Sequence, residues 1–367
     1  MAQYNHDLVG ACQNIQHEAT ELAGQNAPFN LGLMNGALDF ITSPDNNFDT
    51  EFRIITSNGK VTKGEIFYDQ RTKACQITDT LANVCNDDAT SPVRKSMTIT
   101  IDDALSTPPR FFDNSEMLVL CQNKDEFIRK RLFNDLRAAR ERFSSKVLAA
   151  LESYAGKLIR WNGTTITDTG ATSPAEQLLS VTGGQDVPLP GNFAHIVKDY
   201  ERMLLSGVPA VIGDGYFDLF ALLMKWSCCN STTPYQDAIA ATGAAYFKDQ
   251  QANTVLTNNH ILVLPFGITK LVTFNKNIGI NFINDMEAHA VIPDPDGYPF
   301  SWNFDMKWDC TIERWKFVYS IEYSVFNVYQ ADSFAGTGEG DSPDTSPDCA
   351  DELDGSFGVF KYNITRA

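Results

Sequence analysis

Residues able to do chemistry are scattered along this chain. Five histidines stand at positions 6, 17, 195, 260 and 289, and none has a second ligand at metal-binding spacing. His17-Glu18 lacks the second histidine of a zinc-protease helix. A lone helical histidine such as His195 is ordinarily a satisfied surface residue. The eight cysteines, at 12, 75, 85, 121, 228, 229, 310 and 349, form no C-x-x-C pair, so neither a zinc site nor a redox motif is supported. Gly59-Lys60 is a fragment of a phosphate loop and suits a hairpin turn better. Gly336, Gly338 and Gly340 follow a strand pattern, but Pro343 and Pro347 exclude the helix that a dinucleotide fingerprint needs. Asp294 and Asp296 in PDPDGY make half of a calcium loop without its third carboxylate or closing Glu, which points to a turn. Catalytic residues, cofactors and metal ligands are therefore all expected to be none. A carboxylate pair of the glycosidase kind has no signature in one sequence. A β-rich hydrolase with unrecognised carboxylates therefore stays as an alternative of another class.

One charge pattern does stand out. From Lys124 to Arg160 there are ten basic and five acidic residues, a net +5, while the rest of the chain carries −22. Arg129, Lys130, Arg137, Arg140 and Lys146 are expected on or beside the polar side of a helix, where they could meet something negative. The alternatives are a solvated face or ion pairs with a neighbouring chain.

The element beneath those charges is the clearest in the sequence. Ile128, Leu132, Leu136, Ala139, Phe143, Val147, Leu151, Tyr154 and Leu158 recur at spacings of three and four. Asn123 and Glu126 resemble a capping box. About 33 residues give a helix of roughly 50 Å, expected to act as a strut. A second long element follows at 305–329. There Met306, Trp308, Cys310 and Ile312 alternate, the phase slips near Glu313 and Arg314, and alternation resumes from Trp315 to Val325. The slip predicts a β-bulge, and the strand after it should match the helix in length and pack along it.

Other regions read less sharply. Residues 1–48 resemble an extended arm whose Phe29, Leu31, Leu33, Leu38, Phe40 and Ile41 need a surface to lie on. Residues 49–112 suggest a β-hairpin turning at Asn58-Gly59, with a further strand at Met97, Ile99 and Ile101. Residues 161–191 read as a loop-rich connection. After it come a helix ending at Gly207, the strand PAVIG, a helix after Asp214, and the strands ILVLPF and KLVTF around Gly267. Together these predict a compact α/β lobe. From Asp332 to Asp354 there are eight acidic residues and no basic one, an expected exterior loop, and FGVFKYNI predicts a last strand.

Composition narrows the function classes. The 367 residues suggest two or three lobes. With 29 basic against 46 acidic residues, a net −17, the surface as a whole does not suit nucleic acid, although one local patch does. The densest apolar stretch, Tyr216 to Trp226, is too short to span a bilayer and carries Asp218, so no membrane partner is expected. Residues 1–25 lack a basic and apolar leader, which predicts a cytoplasmic chain with reduced thiols.

The order of parts resembles the major capsid protein of tailed bacteriophages, the Hong Kong 97-type fold. The run FAHIVKDYERMLLSGVPAVIGDGYFDLFALLMKW is similar to that family's helix–strand–helix stretch. The resemblance covers nearly the whole chain in architecture and rests on no invariant motif. It implies an α+β fold with an N-terminal arm (1–48), an extended loop (49–112) and a peripheral domain carrying the spine helix (113–185). It further implies an axial domain (186–290), return strands of the peripheral domain (291–335) and a C-terminal acidic loop with a last strand (336–367). The implied function is self-assembly into an icosahedral shell around double-stranded DNA. The implied partners are many copies of itself as pentamers and hexamers, DNA held non-specifically, and portal, scaffolding or decoration proteins. The implied place is the virion capsid, with the host cytoplasm during assembly. An encapsulin-like nanocompartment shell is the alternative of the same fold. Neither member of a Lys–Asn cross-link can be matched to a position here.

Overall fold

The computed structural model describes residues 34–46, 51–57, 60–69, 94–101, 103–112, 124–155, 159–161, 166–168, 176–181, 209–214, 244–256, 260–276, 287–312, 314–327 and 359–366. Along 51–69, 94–100, 124–133, 159–181 and 363–366 the description is of the backbone. The arm before residue 34, the helices expected before Gly207 and after Asp214, Asn123 of the capping box, and the acidic run lie outside the described residues. So do His6, His17, His195 and every cysteine except the exposed, free Cys310.

In chain order the elements begin with α1 (Gly36–Ile41) and a 3-10 turn at Pro44–Asn46. Then come β1 (Glu51–Ser57), β2 (Lys60–Asp69), β3 (Arg94–Thr100), β4 (Asp103–Ser106), β5 (Arg110–Phe112) and the long helix α2 (Lys124–Ser153). Next are β6 (Ile159–Trp161), β7 (Ile166–Asp168), β8 (Glu176–Val181), β9 (Pro209–Gly213), β10 (Ala245–Lys248) and α3 (Ala252–Val255). Last are β11 (His260–Pro265), β12 (Thr269–Phe274), β13 (Glu287–Pro293), β14 (Ser301–Asp309), β15 (Arg314–Asn327) and β16 (Phe360–Arg366). The fold is α+β, with four sheets and few helices among the described residues.

The six-stranded sheet is the platform for α2. Its strands run β12-β15-β14-β13, and β4 and β5 also pair with β15. β13 alternates between half-buried and buried residues, and β15 does the same over most of its length, because one face carries the core. The expected bulge near Glu313 is corrected: Asp309 pairs with Arg314, and the chain reverses between them as an antiparallel hairpin. Thr311 N–H donates to Asp309 Oδ1 at 3.0 Å inside that turn. A reversal produces the same phase slip as a bulge because turn residues belong to neither strand's alternation. The strand after it, 14 residues, is about 46 Å long at 3.3 Å per residue. The 30-residue helix is about 45 Å long at 1.5 Å per residue.

The expected packing of strut on strand is present. Leu136, Ala139, Phe143, Val147 and Leu151 are all buried. Phe143 meets Tyr323, Phe300 and Trp302 edge-on, with ring centroids 4.8, 5.3 and 6.0 Å away. Near the helix end Tyr154 Oη donates to the Val325 carbonyl at 2.8 Å.

The second large sheet runs β10-β9-β11-β16-β8 and is not a local meander. β9 and β11 are buried at every position, as strands covered on both faces must be. Two expectations change here. The sequence groups KLVTF with ILVLPF in one lobe, yet β12 turns away at Gly267 (φ 83°) and joins β15 in the other sheet. The loop-rich stretch 161–191 contains β8, which pairs in parallel with the last strand, β16. The C-terminal strand thus lies between β11 and β8, inside the sheet. Lys361 on β16 reaches back to Glu152 of α2 at 2.7 Å, so the helix end is tied to both sheets.

The arm reading also changes for residues 34–46. Leu38, Phe40 and Ile41 do find a surface, but it belongs to this same chain: Phe40 packs against Phe247 and Phe266 at 5.6 and 5.4 Å. Asn46 locks the segment in place. Its Oδ1 accepts from Gly267 N–H at 2.7 Å, and its Nδ2 donates to the Thr269 carbonyl at 2.9 Å.

β1-β2-β3 form an antiparallel sheet of their own. Ser57 pairs with Lys60; the turn expected at Asn58-Gly59 lies outside the described residues.

Candidate nucleic-acid interface

The basic helix is the candidate site, and the structure divides its five expected residues. Among the described side chains of α2, at 134–153, the exposed positions are Asn134, Ala138, Arg142, Lys146, Ala149 and Ser153, a single stripe at spacings of three and four. Lys146 is on that stripe. Arg137 is on its shoulder, half-buried and 3.9 Å from Glu141 one turn on. Arg129 and Lys130 fall where only the helix backbone is described.

Arg140 is a correction: its side chain is buried and faces away from the stripe. The reason is visible in the spacing, since it follows Leu136 by four residues and precedes Phe143 by three. Its guanidinium sits against Asp294 at 3.4 Å and also contacts Asp296. It lies 5.7 Å from the Tyr298 ring centroid. Trp302 Nε1–H donates to Asp294 Oδ2 at 3.0 Å, and Asp296 N–H to Asp294 Oδ1 at 3.0 Å. Burial pushes the Asp294 carboxyl above its ordinary value, and Arg140 and the Trp302 hydrogen bond pull against that shift. The PDPDGY turn is therefore a turn, closed at Gly297 (φ 83°), whose acids hold a buried cation of the strut. A buried Arg held by two carboxylates is a structural clamp and is unavailable to phosphate.

The exposed residue that sequence reasoning missed is Arg142. The signal was there: Ala138, Arg142 and Lys146 recur every four residues, opposite Leu136, Phe143 and Val147. The candidate interface is thus Arg142 and Lys146, flanked by Arg137, with Arg129 and Lys130 on the same helix toward its N-terminal end.

Other chemistry-bearing residues are engaged structurally. His289 Nδ1 is 2.7 Å from Asp305 Oδ1, and Lys276 is 2.8 Å from Asp305 Oδ2. His260 is buried. Among the described residues no group of three His, Cys, Asp or Glu could hold a metal ion. None of the described helices is long and apolar enough to cross a membrane.

Neither a family model nor a curated protein matches the chain. Solved structures do. The chain is similar to a subunit of the cyanophage A-1(L) capsid asymmetric unit at 11% identity and TM-score 0.47, over 82% of this chain and 92% of that one. It is similar to a subunit of the asymmetric unit of the bacteriophage PhiM1 mature capsid at 10% identity and TM-score 0.40, over 83% and 82%. It is also similar to a chain of the holo-SrpI encapsulin complex from Synechococcus elongatus PCC 7942 at 11% identity and TM-score 0.35, over 81% of each chain.

Proposed function

We propose that this chain is a non-enzymatic shell subunit of the Hong Kong 97 type, which assembles with copies of itself, as pentamers and hexamers, into the icosahedral capsid of a tailed bacteriophage. The carrying observation is the matched pair of long elements, α2 and β15, packed along each other, with a separate three-stranded sheet on the chain between α1 and α2. Among the described residues, β1 and β3 have ladder partners only in β2. A small sheet with two free edges is marginal alone and suits burial against another copy. In this reading residues 1–48 are the arm, with its 34–46 end docked on its own body. Residues 49–112 are the extended loop, 113–185 and 291–335 the peripheral domain, 186–290 the axial domain, and 336–367 the C-terminal segment.

The exposed stripe through Arg142 and Lys146 faces packaged double-stranded DNA in this reading. The attraction is non-specific, because a cation beside a phosphate reads no base. It is weak per subunit, because salt screens charges beyond about 8 Å at physiological strength.

Negative-stain imaging of the expressed chain should show closed particles, and a chain that stays monomeric under all assembly conditions overturns the proposal. Deleting residues 54–100 should leave a soluble subunit that does not assemble. Nuclease-resistant DNA inside native particles supports the phage shell, and an enclosed enzyme in its place supports the nanocompartment.

A further inference from the structure

The acidic run and the basic helix meet at one point of the fold. Residues 328–358, which link β15 to β16, hold eight acidic residues and no basic one. Both ends of this segment are fixed against the end of the strut. Tyr154, just past α2, donates its hydroxyl to the Val325 carbonyl at 2.8 Å, two residues before β15 ends. The next residue, Ala155, forms a parallel bridge with Val359, one residue before β16 begins. The segment therefore leaves and returns at the C-terminal end of α2.

The helix decides what lies within its reach. The last turn of α2 carries no basic residue. Lys361 is buried and already holds Glu152. The exposed positions nearest the end, Ser153 and Ala149, are small and uncharged, and Lys146 and Arg142 come next on the same stripe. At 1.5 Å per residue those two cations stand about 10 and 16 Å along the axis from Ser153. Half of the segment, fully extended, spans about 50 Å, so its acids reach both with slack. Neither cation is paired with a carboxylate among the described residues.

We propose that residues 328–358 dock on this stripe of their own chain, so that their acids neutralise Arg142 and Lys146 until duplex phosphate displaces them. The displacement rests on the DNA-facing reading of the stripe and adds its regulation. The occupant is the same chain because both of its roots stand beside the stripe, which gives the acids an effective concentration on the order of millimolar there. Each surface pair is weak, so the docked segment competes with phosphate without excluding it. It lowers the apparent affinity for DNA by the fraction of stripes left bare.

The test is zero-length carbodiimide cross-linking of the full chain at about 50 mM salt, where surface charges are screened less than at physiological strength. Isotope-labelled and unlabelled chains are mixed first. Mass spectrometry should find Lys146 joined to a carboxyl of residues 332–354 within one chain. Arg142→Glu should lower that link several-fold, because it removes half of the attraction and leaves the tether unchanged. Adding a short DNA duplex should lower it as the duplex binds. No link at Lys146, or links only between labelled and unlabelled chains, overturns the docking. A link unaffected by Arg142→Glu also overturns it, since collisions of a tethered segment would then suffice. A duplex that binds through Arg142 and Lys146 and leaves the link intact overturns the competition. The DNA-facing reading fails separately: the link then forms and responds to Arg142→Glu, which supports the docked segment, while no duplex binds.

Discussion

The two large sheets of this chain solve burial differently. The β12–β15 sheet covers one face with α2, and three of its strands, β13 to β15, form a continuous antiparallel meander. The β8–β11–β16 sheet draws its strands from positions 176 to 366, has two parallel pairs (β9 with β10, β8 with β16), and buries β9 and β11 completely. A one-faced meander is assembled from neighbours in sequence, and its alternation advertises it. A two-faced sheet with long connections depends on chain segments that meet only after folding.

That contrast predicts where damage is greatest. Removing residues 360–367 deletes the strand between β11 and β8, together with the buried Phe360 and Tyr362. Losing one buried aromatic side chain costs about 3–5 kcal/mol, and a whole domain has only about 5–15 kcal/mol to spare. The truncated chain should yield no soluble folded subunit. A soluble product with unchanged circular dichroism would show that the sheet closes without its last strand.

A smaller effect tests the clamp at the edge of the meander. Arg140→Met leaves Asp294 and Asp296 without their cation and should cost about 3–5 kcal/mol at neutral pH, read from the urea midpoint. Asp294 already binds its proton more readily in the fold than in the unfolded chain. Without Arg140 that tendency grows, so the loss should shrink as pH falls through the raised value toward the ordinary carboxylate range. Loss of the same size at pH 5 and pH 7 would show that packing against Tyr298, and not charge, carries the role of Arg140.

The smallest stability effect belongs to the exposed stripe. Reversing Arg142 and Lys146 to Glu should change subunit stability by no more than about 0.5 kcal/mol per site. Empty shells should form normally, and DNA-filled particles should become less stable at low salt. Empty shells that already fail would assign this face to subunit contacts. Unchanged filled particles would remove the DNA role.

Legibility in the sequence followed the same division. Helix α2 was readable over nearly its whole length because its apolar residues repeat with the helical period. β15 and the second half of β14 were readable by alternation, except that the hairpin at 310–313 imitated a bulge; β13 was not read as a strand, although it alternates as well. The candidate site was half legible. Net charge located the helix, but counting charges placed Arg140 outside when its spacing from Leu136 and Phe143 put it inside. Arg142 was passed over, although the same wheel turns it outward.

The sequence by itself determined which segments are helix and strand wherever one face is apolar, because periodicity is a property of neighbours along the chain. It also determined that positive charge gathers on one helix of an acidic protein. Only the tertiary structure decided that Phe40 fills this chain's own core, that β12 leaves β11 for the other sheet, and that β16 completes a sheet begun at β8. It alone paired Arg140 with the PDPDGY acids and enclosed Asp249 under α1. All but the choice made by β12 join residues 150 or more positions apart. Local pattern carries no energy difference between such choices; packing and the burial of charge supply it.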